Sequence, residues 1–192
     1  MRRLKKEIPA IATDRLRLIS MTVECLRAIH DGNIGSAEAE GGFAIARNCS
    51  LSGKAWVEHR LEMIERDPGQ HPWMYRAIVR KSDKVMVGYI SFHHKAPDPD
   101  LLEHSKCGVE LGYTIEPQYR RQGYAKESAL AMMEWAYRHK VGDFFLSISP
   151  DNIPSLKLAE SMGFGKIGER MDEIDGIEYL FRAAIDDIRR HR

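Results

Sequence analysis

The stretch Arg120-Arg121-Gln122-Gly123-Tyr124-Ala125 joins a strand-like run, Cys107 to Ile115, to a helix-like run, Lys126 to Lys140. The first turn of a helix carries unpaired backbone N–H groups and the positive end of the helix dipole. Gly123 has no side chain that would keep an anion away from these donors. The two arginines add charge-assisted hydrogen bonds. A strand, a basic turn and a helix in this order predict a site for a phosphorylated ligand.

A second segment makes this prediction more specific, because a charged turn before a helix is by itself also typical of a solvated loop. After a further strand-like run comes Asn152-Ile153-Pro154-Ser155, and about one helix later comes Gly163-Phe164. The two segments resemble the GCN5-related N-acetyltransferase (GNAT) superfamily. Its acetyl-CoA motif, Q/R-x-x-G-x-G/A, is matched by Arg120, Gly123 and Ala125. Its next motif, N-x-x-S/A followed by G-F, is matched in both order and spacing.

Within that superfamily the chain is most similar to the branch of ribosomal-protein N-terminal acetyltransferases. That branch opens with T-x-R-L-x-L, found here from Thr13 to Leu18, and has an E-L-G-Y strand, found here from Glu110 to Tyr113. The resemblance covers roughly residues 13 to 186. It implies an acyltransferase that moves an acetyl group from acetyl-CoA to a primary amine. The acceptor would be the α-amine of a ribosomal or other protein. A polyamine, an aminoglycoside or an amino-acid-like compound is the alternative, and a non-catalytic acyl-CoA-binding module is a third interpretation.

The implied fold class is α/β (α+β), the GNAT fold, in one domain over residues 1–192 with a core near 13–186 and short basic tails at both ends. We expect a mixed, mostly antiparallel sheet of about seven strands that splays at the cofactor crevice and is flanked by helices. The predicted strands are Arg15 to Ser20, Trp73 to Arg80, Val85 to His93, Cys107 to Ile115, Phe144 to Ser149, Phe164 to Arg170 and Glu178 to Ile185. Asp175-Gly176 is the expected turn of the last hairpin, and residues 31–52 have no clear pattern.

Bulk properties narrow the class of protein. A hydrophobic content of 43% and a charged content of 30% suit a soluble globular domain. The formal net charge of +1 argues against direct nucleic-acid binding, and no apolar run is long enough to span a membrane. Cys25, Cys49 and Cys107 are odd in number and lack paired spacing, which predicts reduced thiols in a cytoplasmic protein and no metal site. Dimers are common in the branch, so a homodimer is one expected assembly.

The resemblance implies where acetyl-CoA binds. In the family, the sheet opens beside the strand that holds Tyr113, and the pantetheine arm lies in the gap against the backbone of Thr114 and Ile115. Asn152 is expected to bind this arm and also to cap its own helix. The predicted cofactor-binding residues are Tyr113, Thr114, Ile115, Arg120, Arg121, Gln122, Gly123, Tyr124, Ala125, Asn152 and Ser155.

The reaction implied is attack of a neutral amine on a thioester, which needs proton removal, oxyanion stabilisation and departure of a thiolate. Glu110 is the predicted base, acting through water, and Ser155 is the predicted contact of the CoA sulfur. Many family members have a general-acid Tyr at the position that Ala159 occupies here. His93 and His94 end a strand near the acceptor side, where they are either alternative bases or ordinary structural residues.

Overall fold

The computed structural model of the protein describes residues 8–46, 54–172 and 176–191, with the backbone alone for residues 54–56. The helices are α1 Val23–His30, α2 Ile34–Gly41, α3 Lys54–Arg66, α4 Tyr124–Tyr137, α5 Ile153–Ser161 and α6 Ile185–Arg190. The strands are β1 Ile11–Ala12, β2 Leu16–Ser20, β3 Ala44–Ile45, β4 Arg76–Arg80, β5 Val85–Phe92, β6 Val109–Ile115, β7 Asp143–Ile148, β8 Gly165–Asp172 and β9 Gly176–Ala184. Short 3-10 segments occupy Pro68–Trp73, Pro99–Leu101 and Pro117–Tyr119. Cys49, Asp175 and the basic N-terminal run lie outside the described residues.

All nine strands form one open sheet in the order β1-β2-β4-β5-β6-β7-β9-β8, and β3 also pairs with β5. Among the described strands, only two pairs are parallel, β3 with β5 and β6 with β7. The prediction of a mixed, mostly antiparallel sheet flanked by helices is therefore confirmed. The two strands beyond the expected seven, β1 and β3, are two residues long each, which is too short to produce a recognisable alternation of polar and apolar residues.

Some predicted boundaries were wrong for local reasons. Trp73 was expected to open a strand, but it ends a 3-10 segment that Asp67 caps by accepting a hydrogen bond from the Gly69 N–H. The final strand was expected to reach Ile185, but that residue begins α6. In residues 31–52, α2 ends at Gly42, whose left-handed backbone closes the helix.

The helix α4 packs against the sheet because its apolar residues recur with a helical period. Its buried residues are Tyr124, Ser128, Ala129, Met132, Met133 and Ala136. All of these except Ser128 belong to the same hydrophobic core cluster as Val109, Leu111 and Ile115 of β6. This packing places the N-terminus of α4 beside the carboxyl end of β6. Among the described helices, none is long and apolar enough to cross a membrane.

The C-terminal basic run is not a solvated tail, which corrects the sequence-based expectation. Residues up to Arg190 form α6, with Ile185 and Ile188 buried. Arg189 pairs with Glu134 of α4 at 3.1 Å. Gly163 makes this packing possible, because a Cβ there would lie 2.7 Å from Nδ1 of His191, and its φ of +84° is one that glycine tolerates best. The glycine of the G-F motif is therefore explained by helix packing.

Candidate active site

The sheet opens between β6 and β7. These parallel strands share only two residue pairs, Val109 with Phe144 and Glu110 with Phe145. Beyond Glu110, β6 continues to Ile115 without pairing to β7. The expected splay is thus present, and Glu110 stands at the closed end of the gap.

The backbone of β6 offers hydrogen-bonding groups to this gap at alternate residues. The carbonyl of Glu110 accepts a hydrogen bond from the His93 N–H at 2.9 Å, so it points towards β5. Because backbone groups alternate in direction along a strand, those of Thr114 also point towards β5, whereas those of Tyr113 and Ile115 face the gap. Tyr113 and Ile115 can therefore pair with a ligand through their backbone. Thr114, predicted for that role, can contribute only its side chain.

The helix α4 begins without a side-chain cap. Its N-cap is Gly123, with φ of +81°, and Arg121, two residues earlier in the turn, also has a positive φ of 63°. No side chain of the described residues accepts from the first N–H groups of this helix. The first N–H groups of α4 are therefore available to a ligand beside the gap, and the anion site stays a prediction.

Some side chains of the turn are held by contacts within the protein, whereas Arg121 is free to reach a ligand. Arg120 is exposed, but its Nε donates to the Ile115 carbonyl at 2.9 Å, and Arg15 donates to the Gln122 carbonyl at 2.9 Å. These bonds hold the turn in place. Tyr124 is only 6% exposed and belongs to the core, so it can offer a ligand only its backbone N–H. Arg121 is exposed and extends its charge into solvent.

Asn152 caps α5 as predicted, with its Oδ1 accepting from the Ser155 N–H at 3.3 Å. The Ser155 side chain lies next to the Tyr113 side chain, so the structure brings these two predicted residues together across the gap. The Tyr113 hydroxyl is buried and forms no hydrogen bond to any described group. Burial raises the pKa of Tyr113, and proximity to Ser155 only partly offsets this. Ala159 is fully buried, so its position faces the core.

Glu110 is 2% exposed and forms a two-pronged ion pair with Arg170 of β8. Nη1 and Nη2 of Arg170 each donate to one carboxylate oxygen at 2.9 Å. Nε of the same arginine donates to Glu178 of β9 at 3.2 Å. Sequence reasoning missed Arg170 and Glu178, which lie about 60 residues beyond Glu110 and match no motif.

His93 lies on the other side of this carboxylate. Its Nδ1 is 3.7 Å from Oε2 of Glu110, which is longer than a hydrogen bond, so the two groups attract each other as an ion pair only when the imidazole is protonated. Its Nε2 lies over the backbone of Gly112, where a Cβ would come within 3.2 Å. Of the two predicted histidines, His93 therefore lies at the closed end of the gap, whereas His94 faces Asp100 at 3.6 Å.

The charges of this cluster determine which group can accept a proton. Burial alone would raise the pKa of Glu110, but the nearby charges of His93 and Arg170 outweigh it, and its pKa is lowered. Burial lowers the pKa of His93, with Arg60 and Arg170 acting in the same direction against Glu110. Burial raises the pKa of Glu178 despite Arg170. At neutral pH, Glu110 is thus a carboxylate held by Arg170, and His93 is a neutral imidazole.

The sequence of the chain matches that of a known protein family. A family model described as "Acetyltransferase (GNAT) domain" matches residues 26–165, which is most of the chain. The chain belongs to the GNAT acetyltransferase family. Members of this family are acyltransferases, and they generally use acetyl-CoA. The open gap, the uncapped helix end and the capped turn at Asn152 are compatible with that ligand.

Individual relatives agree with the family. An uncharacterised N-acetyltransferase, YnaD of Bacillus subtilis (strain 168), is 26% identical over 106 residues, which are 55% of this chain and 57% of YnaD. The chain therefore aligns with little more than half the length of this relative.

Solved ribosomal-protein acetyltransferases are among its neighbours in fold. The ribosomal-protein-S5-alanine acetyltransferase of Vibrio fischeri superposes with a TM-score of 0.62 at 16% identity, over 93% of this chain and 98% of that chain. RimL, a ribosomal L7/L12 α-N-protein acetyltransferase, superposes with a TM-score of 0.61 at 15% identity, over 96% and 99%. At these identities the likeness concerns the fold.

Proposed function

We propose that this GNAT protein transfers the acetyl group of acetyl-CoA to the N-terminal α-amine of a protein or peptide. The observation that carries the proposal is the buried carboxylate of Glu110 at the closed end of the β6–β7 gap, with His93 beside it. A thioester bound in the gap and an amine approaching from the His93 side would meet at this point. The resemblance of the fold to two ribosomal-protein acetyltransferases supports the same acceptor class.

We assign proton removal to His93 and Glu110 together. Both oxygens of Glu110 already accept hydrogen bonds from Arg170, so this carboxylate is a poor base for direct attack on a proton. Its charge instead favours the His93 tautomer that carries hydrogen on Nδ1, which leaves Nε2 free. Nε2 takes the proton of the acceptor amine, directly or through a water. Glu110 thereby acts through its neighbour, which refines its predicted role as a water-mediated base.

The energy of deprotonation favours an α-amine over a lysine side chain. At pH 7, removing a proton from an α-amine with a pKa of about 7.8 costs about 1 kcal/mol. For lysine, with a pKa of about 10.4, the cost is roughly 4.6 kcal/mol. A single neutral imidazole is a sufficient base for deprotonating an α-amine, which has the smaller of these two costs.

The breaking of the thioester bond indicates what Tyr113 and Ser155 would do on the side of the gap away from His93. The amine nitrogen forms a bond to the carbonyl carbon, the resulting tetrahedral oxyanion collapses, and the carbon–sulfur bond breaks. The hydroxyl pair of Tyr113 and Ser155 would stabilise the departing thiolate by donating hydrogen bonds to it, and solvent supplies the proton that converts it to the thiol. Because burial raises the pKa of Tyr113, its hydroxyl is protonated at neutral pH and can act as such a donor. Tyr113 would then do the work of the general-acid tyrosine that many family members have at the position of Ala159.

The test is thiol release from acetyl-CoA with a panel of acceptors. It compares a peptide with a free N-terminus and no lysine, the same peptide with a blocked N-terminus and one lysine, and a polyamine. We expect turnover with the first peptide only. Turnover confined to the polyamine would instead establish the small-amine alternative.

Variants test the assigned base with the same assay. His93→Gln and Glu110→Gln should each lower kcat by about 100-fold or more, the usual contribution of general-base catalysis. His104→Gln is the matched control, because His104 is exposed and lies on the loop before β6. Wild-type kcat in the His93 variant would contradict the assignment.

A further inference from the structure

We infer that the loop following β5 binds a divalent metal ion through His94, Asp98 and Asp100. Each of these side chains offers one ligand atom, and the three atoms lie within 4.8 Å of one another. Nε2 of His94 is 3.6 Å from Oδ2 of Asp100. In a tetrahedral site with bonds near 2.0–2.1 Å, neighbouring ligand atoms are about 3.4 Å apart. The His94–Asp100 spacing is close to that of a formed site, whereas the cluster as a whole, which extends to 4.8 Å, would have to contract around the ion.

Asp98 provides a second, independent indication of a ligand. The residue is 1% exposed, and its Oδ2 is buried without a hydrogen-bond partner among the described residues. Its other oxygen accepts a hydrogen bond from the Asp100 N–H at 3.1 Å, which fixes the carboxylate in the cluster. A buried carboxylate oxygen without a hydrogen-bond donor is costly, because it has lost its hydration, and the nearby charges of Arg60 and His94 act on it without a hydrogen bond to this oxygen. A cation between the three side chains would satisfy this oxygen.

The backbone holds the cluster in place before any ion binds. The Asp98 N–H donates to the Gly108 carbonyl at 3.1 Å, which ties the middle of the loop to the start of β6. The Leu101 N–H donates to the Asp98 carbonyl at 3.2 Å and closes the short helical turn. Leu101 itself is 1% exposed and anchors that turn in an apolar cluster with Phe145.

The donor set indicates the class of ion. One imidazole and two carboxylates suit first-row ions such as Mn²⁺ or Zn²⁺, since Ca²⁺ and Mg²⁺ prefer oxygen ligands alone. The Asp100 side chain is 72% exposed, so one side of the site faces solvent and leaves room for water ligands. Sequence spacing predicted no metal site, because it revealed two adjacent histidines and no third ligand at a familiar interval. The fold of the loop supplies the missing acidic ligands.

This site is distinct from the proposed acetyl-transfer machinery. Its ligands are His94, Asp98 and Asp100, whereas the proposed reacting groups are His93, which begins the same loop, and residues that line the gap between β6 and β7. The two are nevertheless adjacent, because His94 follows His93 in the chain. A bound ion would restrain the loop that leads from the proposed base to β6. The inference does not depend on the acceptor or on turnover, so its test uses binding alone.

The test is titration of the full-length protein with Mn²⁺, followed by electron paramagnetic resonance, in which free Mn²⁺ gives a sharp spectrum that broadens on binding. Mn²⁺ is preferred to Zn²⁺ as a probe because it has little affinity for the exposed thiol of Cys107. We expect one ion per chain. Asp100→Asn should weaken the affinity at least about tenfold, a loss of about 1.4 kcal/mol. Since Asp100 is largely exposed, this variant is expected to fold.

Two more variants make the outcome decisive. Asp98→Asn keeps the oxygen that accepts from the Asp100 N–H but removes the charge, and it should weaken Mn²⁺ binding at least as much as Asp100→Asn. Glu103→Gln is the matched control, because Glu103 is an exposed carboxylate of the same loop outside the cluster. It should retain wild-type affinity. Absence of stoichiometric binding to the wild type, or equal losses in Glu103→Gln and Asp100→Asn, would overturn the proposal.

Discussion

The two walls of the β6–β7 gap are built by different means. On the side predicted to bind acetyl-CoA, called the cofactor wall below, most of the available groups belong to the backbone. They are the uncapped N-terminus of α4 and the free edge of β6, and Asn152 at the start of α5 completes this wall. On the side predicted to bind the acceptor, called the acceptor wall below, they are charged side chains: the buried Glu110 and the partly buried Arg170 and Glu178, in one hydrogen-bonded chain. Backbone donors remain the same whatever side chains surround them, which suits a cosubstrate shared by a whole family. Buried charges depend on every partner, which suits a specific acceptor.

Among the variants that test this contrast, Arg170→Met has the largest expected effect. It would leave Glu110 as a buried carboxylate without its partner, and breaking a buried ion pair in this way costs about 3–5 kcal/mol. We expect the free energy of unfolding, measured in urea, to fall by that amount.

Arg182→Met is the matched control for this variant. It removes a more exposed pair with Asp143 at 2.9 Å and should cost less than about 1 kcal/mol. Similar losses of unfolding free energy in both variants would mean that the Arg170–Glu110 pair contributes no more than an exposed ion pair.

The cofactor wall is tested by Gly123→Asp. A carboxylate at this position would lie beside the expected pyrophosphate site, and like charges about 4 Å apart repel by about 4 kcal/mol at an effective dielectric constant near 20, a repulsion that the nearby Arg15 guanidinium would only partly offset. We expect acetyl-CoA affinity, measured by calorimetry, to fall at least about 100-fold. Gly123→Asn is the control, because it shares the positive φ and nearly the same shape without the charge. Equal affinities of the two variants would mean that the phosphates bind elsewhere.

The acceptor wall should also respond to pH. The pKa of Glu110 is lower in the folded protein than in the unfolded chain, so below about pH 4.5 the unfolded state takes up protons first. The stability from Glu110 is therefore complete above that pH and is lost as the pH falls through the folded pKa. Each pKa unit of difference amounts to about 1.4 kcal/mol.

Urea unfolding of the wild type and Glu110→Gln at a series of pH values measures this term. The advantage of the wild type should shrink in acid. An advantage that stays constant from pH 7 to pH 3 would contradict the lowered pKa.

The smallest expected effect is on the cofactor wall. Asn152→Ala removes the cap of α5 and should reduce stability by about 1 kcal/mol, the usual worth of such a cap. Asn152→Asp retains an acceptor oxygen and should restore most of it. Thermal unfolding of the three proteins without ligand distinguishes these outcomes.

The same contrast explains which parts could be predicted from sequence. Gly123 and Asn152 act within a few residues of their partners, so the pattern around them indicates their position. The strands with clear alternation were predicted for the same reason. The Glu110–Arg170–Glu178 chain depends on the register of β8 with β9 and of β9 with β7, which sets residues far apart in sequence side by side. No local pattern encodes that register, and the two-residue strands were missed because so short a run has no period.

The short pairing of β6 with β7 has a mechanical consequence. Within the described residues, two residue pairs provide all the strand pairing between the β1–β6 half of the sheet and the β7–β9 half. The molecule therefore resembles two stiff plates joined by a narrow hinge, and a ligand lying along the free edge of β6 would act as a splint. Amide hydrogens on both plates near the gap should then exchange more slowly when acetyl-CoA is bound, including those that never touch it.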